Sequence, residues 1–132
     1  MTPRAIRDGF LEAVDRRPLD TYLAVQSWWW GLWALSPWDA FGVIPGAYTV
    51  LALLPEWAWG AVFTAHGVGH LAAVVRGDDA SCRRAALSLQ YLWAIVFFNY
   101  LVTIPLSLAT PTYGMLFVGS LWVHGRHCRR VV

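Results

Sequence analysis

The chain has 132 residues, room for one domain, and is 58% hydrophobic but only 14% charged, with a mean hydropathy of +0.47. A soluble domain of this size carries about a quarter charged residues, so the composition excludes an ordinary water-covered coat. All ten cations are arginine and the formal net charge is +2; their division among three short segments with acidic neighbours argues against a nucleic-acid surface and suits an anionic lipid leaflet.

Residues 3 to 16 predict a short amphipathic helix. Ile6, Phe10, Leu11 and Val14 share one face at helical spacing, and Arg4, Arg7, Asp8, Glu12 and Asp15 take the other. Thr2 and Pro3 read as its cap and first turn, and Arg16 and Arg17 as its anchor on the inner membrane surface. Residues 1–17 therefore form a cytoplasmic segment ahead of a membrane domain over 18–132.

The first span runs from Pro18 to about Ser36, and its nineteen residues reach roughly 28 Å, enough for a bilayer core. The Trp-rich block offers no small-residue cleavage site, so this span is expected to be uncleaved. Residues 37 to 54 are apolar but broken by Pro37, Gly42, Pro45 and Gly46. They predict an outer loop leading into a short interfacial or re-entrant helix near 46 to 54. Pro55 and Glu56 open the second span, a proline in the first turn and a carboxylate at the positive end of the helix dipole. That span ends at Arg76 and Gly77. Asp78 and Asp79 form an inner turn, with Ser81 as the expected cap of a third span from Ala85 to Ile104. A fourth runs from Pro111 to about His124, short enough to be little tilted or to thin the bilayer.

The arginines orient this map. Arg4, Arg7, Arg16 and Arg17 precede the first span, Arg76, Arg83 and Arg84 lie between the second and third, and Arg126, Arg129 and Arg130 follow the fourth. The outer turns hold no cation, only Asp39 and Glu56. Cationic loops stay cytoplasmic, so the expectation is an all-α, four-span protein of the bacterial inner membrane with both termini inside. Trp33, Trp38, Trp57 and Trp59 fall at the outer interface as anchors, and at least one of Trp28, Trp29 and Trp30 must face lipid. Cys82 and Cys128 map to the reducing side, where no structural disulfide is expected.

Four sets of residues invite a chemical reading. His66 and His70 lie one turn apart on the second span, and His124 and His127 at the inner end of the fourth. Imidazoles from two helices could ligate a metal or haem, whereas interfacial histidines are equally satisfied by water or a polar neighbour. Ala61, Ala65, Gly69 and Ala73, widened by Gly60, Thr64, Val68 and Ala72, form a small-residue stripe. Such a stripe serves internal packing against the third or fourth span, or an interface between copies. Asp39 and Glu56 read as turn and cap residues before they read as a cation site, and Gln90 and Asn99 as hydrogen-bonding groups between helices. Ser120 and His124 share a helix face but lack a third orienting group and an oxyanion loop. No phosphate loop, zinc-protease motif or dinucleotide fingerprint is present, so neither an enzyme nor a cofactor is expected.

Trp30, Gly31 and Trp33 in W-G-x-W, Asp39 and Phe41 in the turn, Pro55, Glu56, Trp59 and Gly60 in P-E-x-x-W-G, and Pro111 and Tyr113 in P-x-Y form one pattern. It resembles small four-span membrane proteins of bacteriophages and bacteria, some of which are called holin-like. That resemblance covers about two-thirds of the chain and implies no particular activity. The segment HGVGHLAAVVRGD resembles, over about a dozen residues, the haem-ligand segment of succinate dehydrogenase membrane anchors, though without their three-span plan. Three classes of function follow. The first is a non-enzymatic membrane protein that self-associates, holin-like or membrane-remodelling. The others are an accessory subunit of a larger membrane complex and a histidine-ligated metal or haem protein. The expected partners are the bilayer and either a second copy or another membrane protein.

Overall fold

The computed structural model describes residues 3–37, 41–42 and 46–129, without the side chains of residues 3–7, 9, 13 and 129. Thr2, Trp38, Asp39, Pro45 and Arg130 of the sequence reading lie outside the described residues. Five α-helices follow one another: α1 Pro3–Arg16, α2 Pro18–Ala34, α3 Glu56–Arg76, α4 Asp79–Thr103 and α5 Ala109–Arg129. No strand occurs among the described residues, and the all-α expectation holds. Two of the helices, α3 and α4, are long and apolar enough to cross a membrane.

Local chemistry sets the boundaries. Pro18 occupies the first turn of α2, where its missing N–H costs nothing. Extended Pro55 leads into α3, whose first residue is Glu56, and α3 ends at Gly77 in the left-handed conformation (φ 69°) that a side chain disfavours. Helix α4 begins at Asp79 rather than after Ser81, because the cap is Asp78: the Asp78 carboxylate accepts from the Ser81 backbone N–H at 3.0 Å.

The helix expected near 46 to 54 is a correction. The chain turns over 46–50 and makes one 3-10 turn, Leu51–Leu53. Its amides are taken by a side chain of α4. Asn99 Oδ1 accepts from Val50 N–H (2.9 Å) and Leu51 N–H (3.3 Å), and its amide nitrogen donates to the Ala47 carbonyl (2.8 Å). Thr103 Oγ1 donates to the same carbonyl at 3.0 Å. Asn99 thus ties a loop to a helix, where a helix-to-helix bond was expected.

Helix α2 packs most extensively on α3, and α4 on α5. The first pair meets backbone to backbone across Trp28, Gly31 and Leu35 on α2 and Gly60, Thr64 and Gly67 on α3. Between the pairs runs an aromatic core. Trp30 packs on Phe63 (ring centroids 4.4 Å), Phe63 on Trp93 (5.0 Å), and Tyr113 on Tyr100 (4.8 Å). Trp30 Nε1 donates to the Tyr113 hydroxyl at 3.2 Å, and the Tyr100 hydroxyl to that of Tyr48 at 3.1 Å. Of the three consecutive tryptophans, Trp30 is buried while Trp28 and Trp29 are exposed.

Candidate functional site

Each of α2, α3, α4 and α5 places one polar, chemically capable side chain in the same buried space at the end of the bundle where α3 turns into α4. Asp20 stands in the first turn of α2, His70 on the inward face of α3, Cys82 in the first turn of α4 and His127 in the last turn of α5. All four are buried, with exposures of 4%, 1%, 0% and 5%. Asp20 Oδ1 is the centre: His70 Nε2 lies 3.2 Å away and His127 Nε2 3.0 Å away. Donor atoms of Asp20, His70 and Cys82 lie within 4.8 Å of one another.

Arg17 closes this space. It donates to Cys82 Sγ at 3.1 Å and to Asp79 Oδ1 at 2.6 Å, and its side chain is 13% exposed. Arg17 therefore faces inward, whereas the sequence suggested a surface anchor. Asp79 also approaches the second ring nitrogen of His127, at 3.9 Å from Nδ1. A carboxylate bridging two imidazoles in a buried space ties three helices together, and each neutral imidazole can donate its Nε2 proton to it.

The four histidines of the sequence reading split. His70 and His127 meet on Asp20. His66 turns to α4, donating from Nε2 to the Ala85 carbonyl (3.0 Å) with Ser88 Oγ at 2.8 Å. His124 Nδ1 reaches the Arg83 carbonyl only at 3.5 Å, and its Nε2 lies 3.6 Å from Cys128 Sγ. Residues three or four apart on a helix are offset by about 4.5–6 Å along its axis, so the members of each pair address different levels of the neighbouring helices. Asp20 is the member that sequence reasoning missed. Its available signal was a carboxylate near the start of an expected apolar span, on the same side of the expected map as the histidines. Buried acids in such positions seldom lack a partner.

The remaining candidates separate by burial. Of the four residues at the centre of the stripe, Ala61, Ala65 and Gly69 are exposed and Ala73 is buried. A Cβ built on Gly69 meets nothing within 4 Å; the close contact with α2 uses Gly60, at the stripe's edge, and Gly67. Trp33 and Trp57 are exposed. Trp59 is not an anchor of that kind: it is buried and donates from Nε1 to the Leu51 carbonyl at 2.7 Å, bracing the loop before α3. Glu56 accepts from Phe41 N–H at 3.4 Å, a turn contact. Ser120 is buried and donates to the Phe117 carbonyl of its own helix at 2.7 Å. Cys82 and Cys128 are both free thiols.

No family model, curated protein or solved structure matches this chain.

Proposed function

We propose that the chain is a four-span protein of the bacterial inner membrane, with both termini cytoplasmic, that works without catalysis by associating with copies of itself, in the manner of holin-like or membrane-remodelling proteins. The observation that carries this reading is the free face of α3. One side of that helix is filled by α2, while Ala61, Ala65 and Gly69 on another side are left uncovered by the chain's own helices. In lipid, helices associate through close van der Waals approach, and a small-residue face permits it.

The bilayer placement draws on further features. Trp29, Leu106, Met115, Val118 and Trp122 are exposed apolar side chains that lipid would cover. The 17 residues of α2 and 21 of α5 reach about 26 and 32 Å, close to the thickness of a bilayer core. The ten arginines remain on one side of the resulting topology. The apolar spacing of α1 suits a helix lying in the cytoplasmic interface.

The experiment is controlled expression in a bacterial host with a membrane-potential dye. The expected course is a tolerated interval followed by abrupt depolarisation. Replacing Ala65 and Gly69 together by leucine should delay or abolish it, since both positions are uncovered and the fold is retained. High membrane levels with potential and growth intact would remove the holin-like reading.

A second reading, an accessory subunit, is favoured by an apolar hollow of about 850 Å³ on the other side of the bundle, lined by Phe97, Pro111, Gly114, Met115, Val118 and Trp122. A pull-down from the native host that recovers one membrane partner in fixed proportion would favour that reading over self-association.

A further inference from the structure

We propose that Asp20, His70, Cys82 and His127 form a binding site for a single divalent cation of the zinc class. The proposal does not rest on self-association: it concerns the interior of one chain.

The placement of the donors carries the argument. Four helices converge, and each contributes one ligand-capable side chain, all of them buried. With metal–ligand bonds of about 2.0–2.3 Å, neighbouring ligand atoms in a tetrahedral site lie about 3.3–3.8 Å apart. The 3.2 and 3.0 Å separations from Asp20 Oδ1 to the two imidazole nitrogens are already close to that edge. Cys82 Sγ is within 4.8 Å of the Asp20 and His70 donors, while His127 stands outside that trio and joins it through Asp20, so an ion held by all four draws Cys82 and His127 inward.

The donor chemistry selects the ion. Two imidazole nitrogens, one carboxylate and one thiol suit zinc and its neighbours; magnesium and calcium demand oxygen ligands. Charge agrees as well. A divalent cation with one carboxylate and one thiolate sums to zero, which a buried site needs, and the adjacent Arg17–Asp79 pair is itself neutral. Coordination through Nε2 puts each imidazole proton on Nδ1, and for His127 that atom faces the Asp79 carboxylate. A carboxylate behind a ligating histidine is the usual arrangement that fixes its ring and raises its basicity. Asp79 is 63% exposed, which gives an ion a route from the cytoplasmic side of the proposed topology. His66 and His124 have other partners and take no part.

The test uses the full chain, purified in detergent, stripped with a chelator and titrated with Co²⁺, then Zn²⁺. One Co²⁺ per chain is expected, with a thiolate-to-cobalt charge-transfer band that Zn²⁺ abolishes. Cys82→Ser should remove the band. Asp79→Asn, which keeps all four proposed ligands, should keep the band and weaken affinity about 10–100-fold. Cys128→Ser and His66→Ala should alter neither. Zn²⁺ should raise the thermal midpoint of the native chain, and Mg²⁺ should not. Failure of the folded native chain to bind Co²⁺ overturns the proposal and leaves the cluster as a hydrogen-bonded brace. So does a band that survives Cys82→Ser, a band lost in Cys128→Ser, or an affinity unmoved by Asp79→Asn.

Discussion

A methyl group on Gly67 would lie 2.5 Å from the backbone nitrogen of Trp28 and 2.7 Å from its Cα. The two helices touch there through their main chains, so the neighbour cannot yield by rotating a side chain. Gly31 repeats the situation from the other side, with Thr64 N and Oγ1 both 2.4 Å from where its Cβ would be. The first two long helices therefore depend on these two glycines for their spacing.

Gly67→Ala is expected to destabilise the protein by about 1–3 kcal/mol, the usual range for forcing a methylene into a packed contact, and more if α2 must move. Gly69→Ala, two residues away, should be neutral or stabilising by up to about 1 kcal/mol, because its site is open and alanine favours a helix. Unfolding in detergent micelles compares the two, and the opposite order would show that the α2–α3 contact is misassigned.

Asn99→Leu should loosen the loop before α3. It leaves the Val50 and Leu51 amides without their acceptor, at about 1–3 kcal/mol for each buried group left unmade. The Ala47 carbonyl keeps Thr103. Hydrogen exchange at Val50 and Leu51 should accelerate while the α4–α5 core stays protected. Gln90→Leu is the contrast: the buried Gln90 Oε1 has no hydrogen-bond partner among the described residues, so its removal should cost little or help. Equal loop exposure in both variants would contradict the role given to Asn99.

Reporter fusions should place the C-terminus in the cytoplasm and a site after Ser36 outside. A periplasmic C-terminus would overturn the proposed topology. The orientation should resist any single charge change, because three separate basic segments favour it together.

Asp78 lies at the exposed turn between α3 and α4, and its carboxyl is held below the ordinary carboxylate range by hydrogen bonds from the Ser81 side chain and backbone. A lowered value in the folded state means that the ionised cap stabilises fully above the unfolded carboxyl pKa of about 3.9 and loses this contribution as pH falls through the folded value. Asp78→Ala should lower the thermal midpoint near neutral pH and flatten its acid limb over that window. An unchanged acid limb would mean that the cap contributes nothing to folding.

Much of the architecture was legible along the chain because it depends on neighbours in sequence. Proline at a first turn, glycine after a last one, and apolar runs between them located α2, α3 and the start of α5 to within about two residues, while α5 runs five residues past the expected end at His124. The start of α4 was misplaced because two adjacent aspartates and a serine all make acceptable caps, and only the backbone conformation at Asp78 chose among them. The loop before α3 was misread as a helix because its competitor, Asn99, lies 48 residues away from Leu51 and cannot be seen from local pattern.

Composition and arginine placement by themselves determined that this chain is rich in apolar helix and strongly asymmetric in charge, since helix period, proline and glycine act over a few residues. Tertiary structure alone decided which small residues are contacts and which are open, that Trp30 and Trp59 turn inward while Trp29 and Trp57 do not, and that Asp20 gathers one histidine from each of two pairs. The reason is geometric. A helix fixes which residues share a face, but the rotation and axial level at which helices meet arise from how their side chains interlock. Asp20 and His127, 107 residues apart, come within 3.0 Å only once four helices have settled against one another.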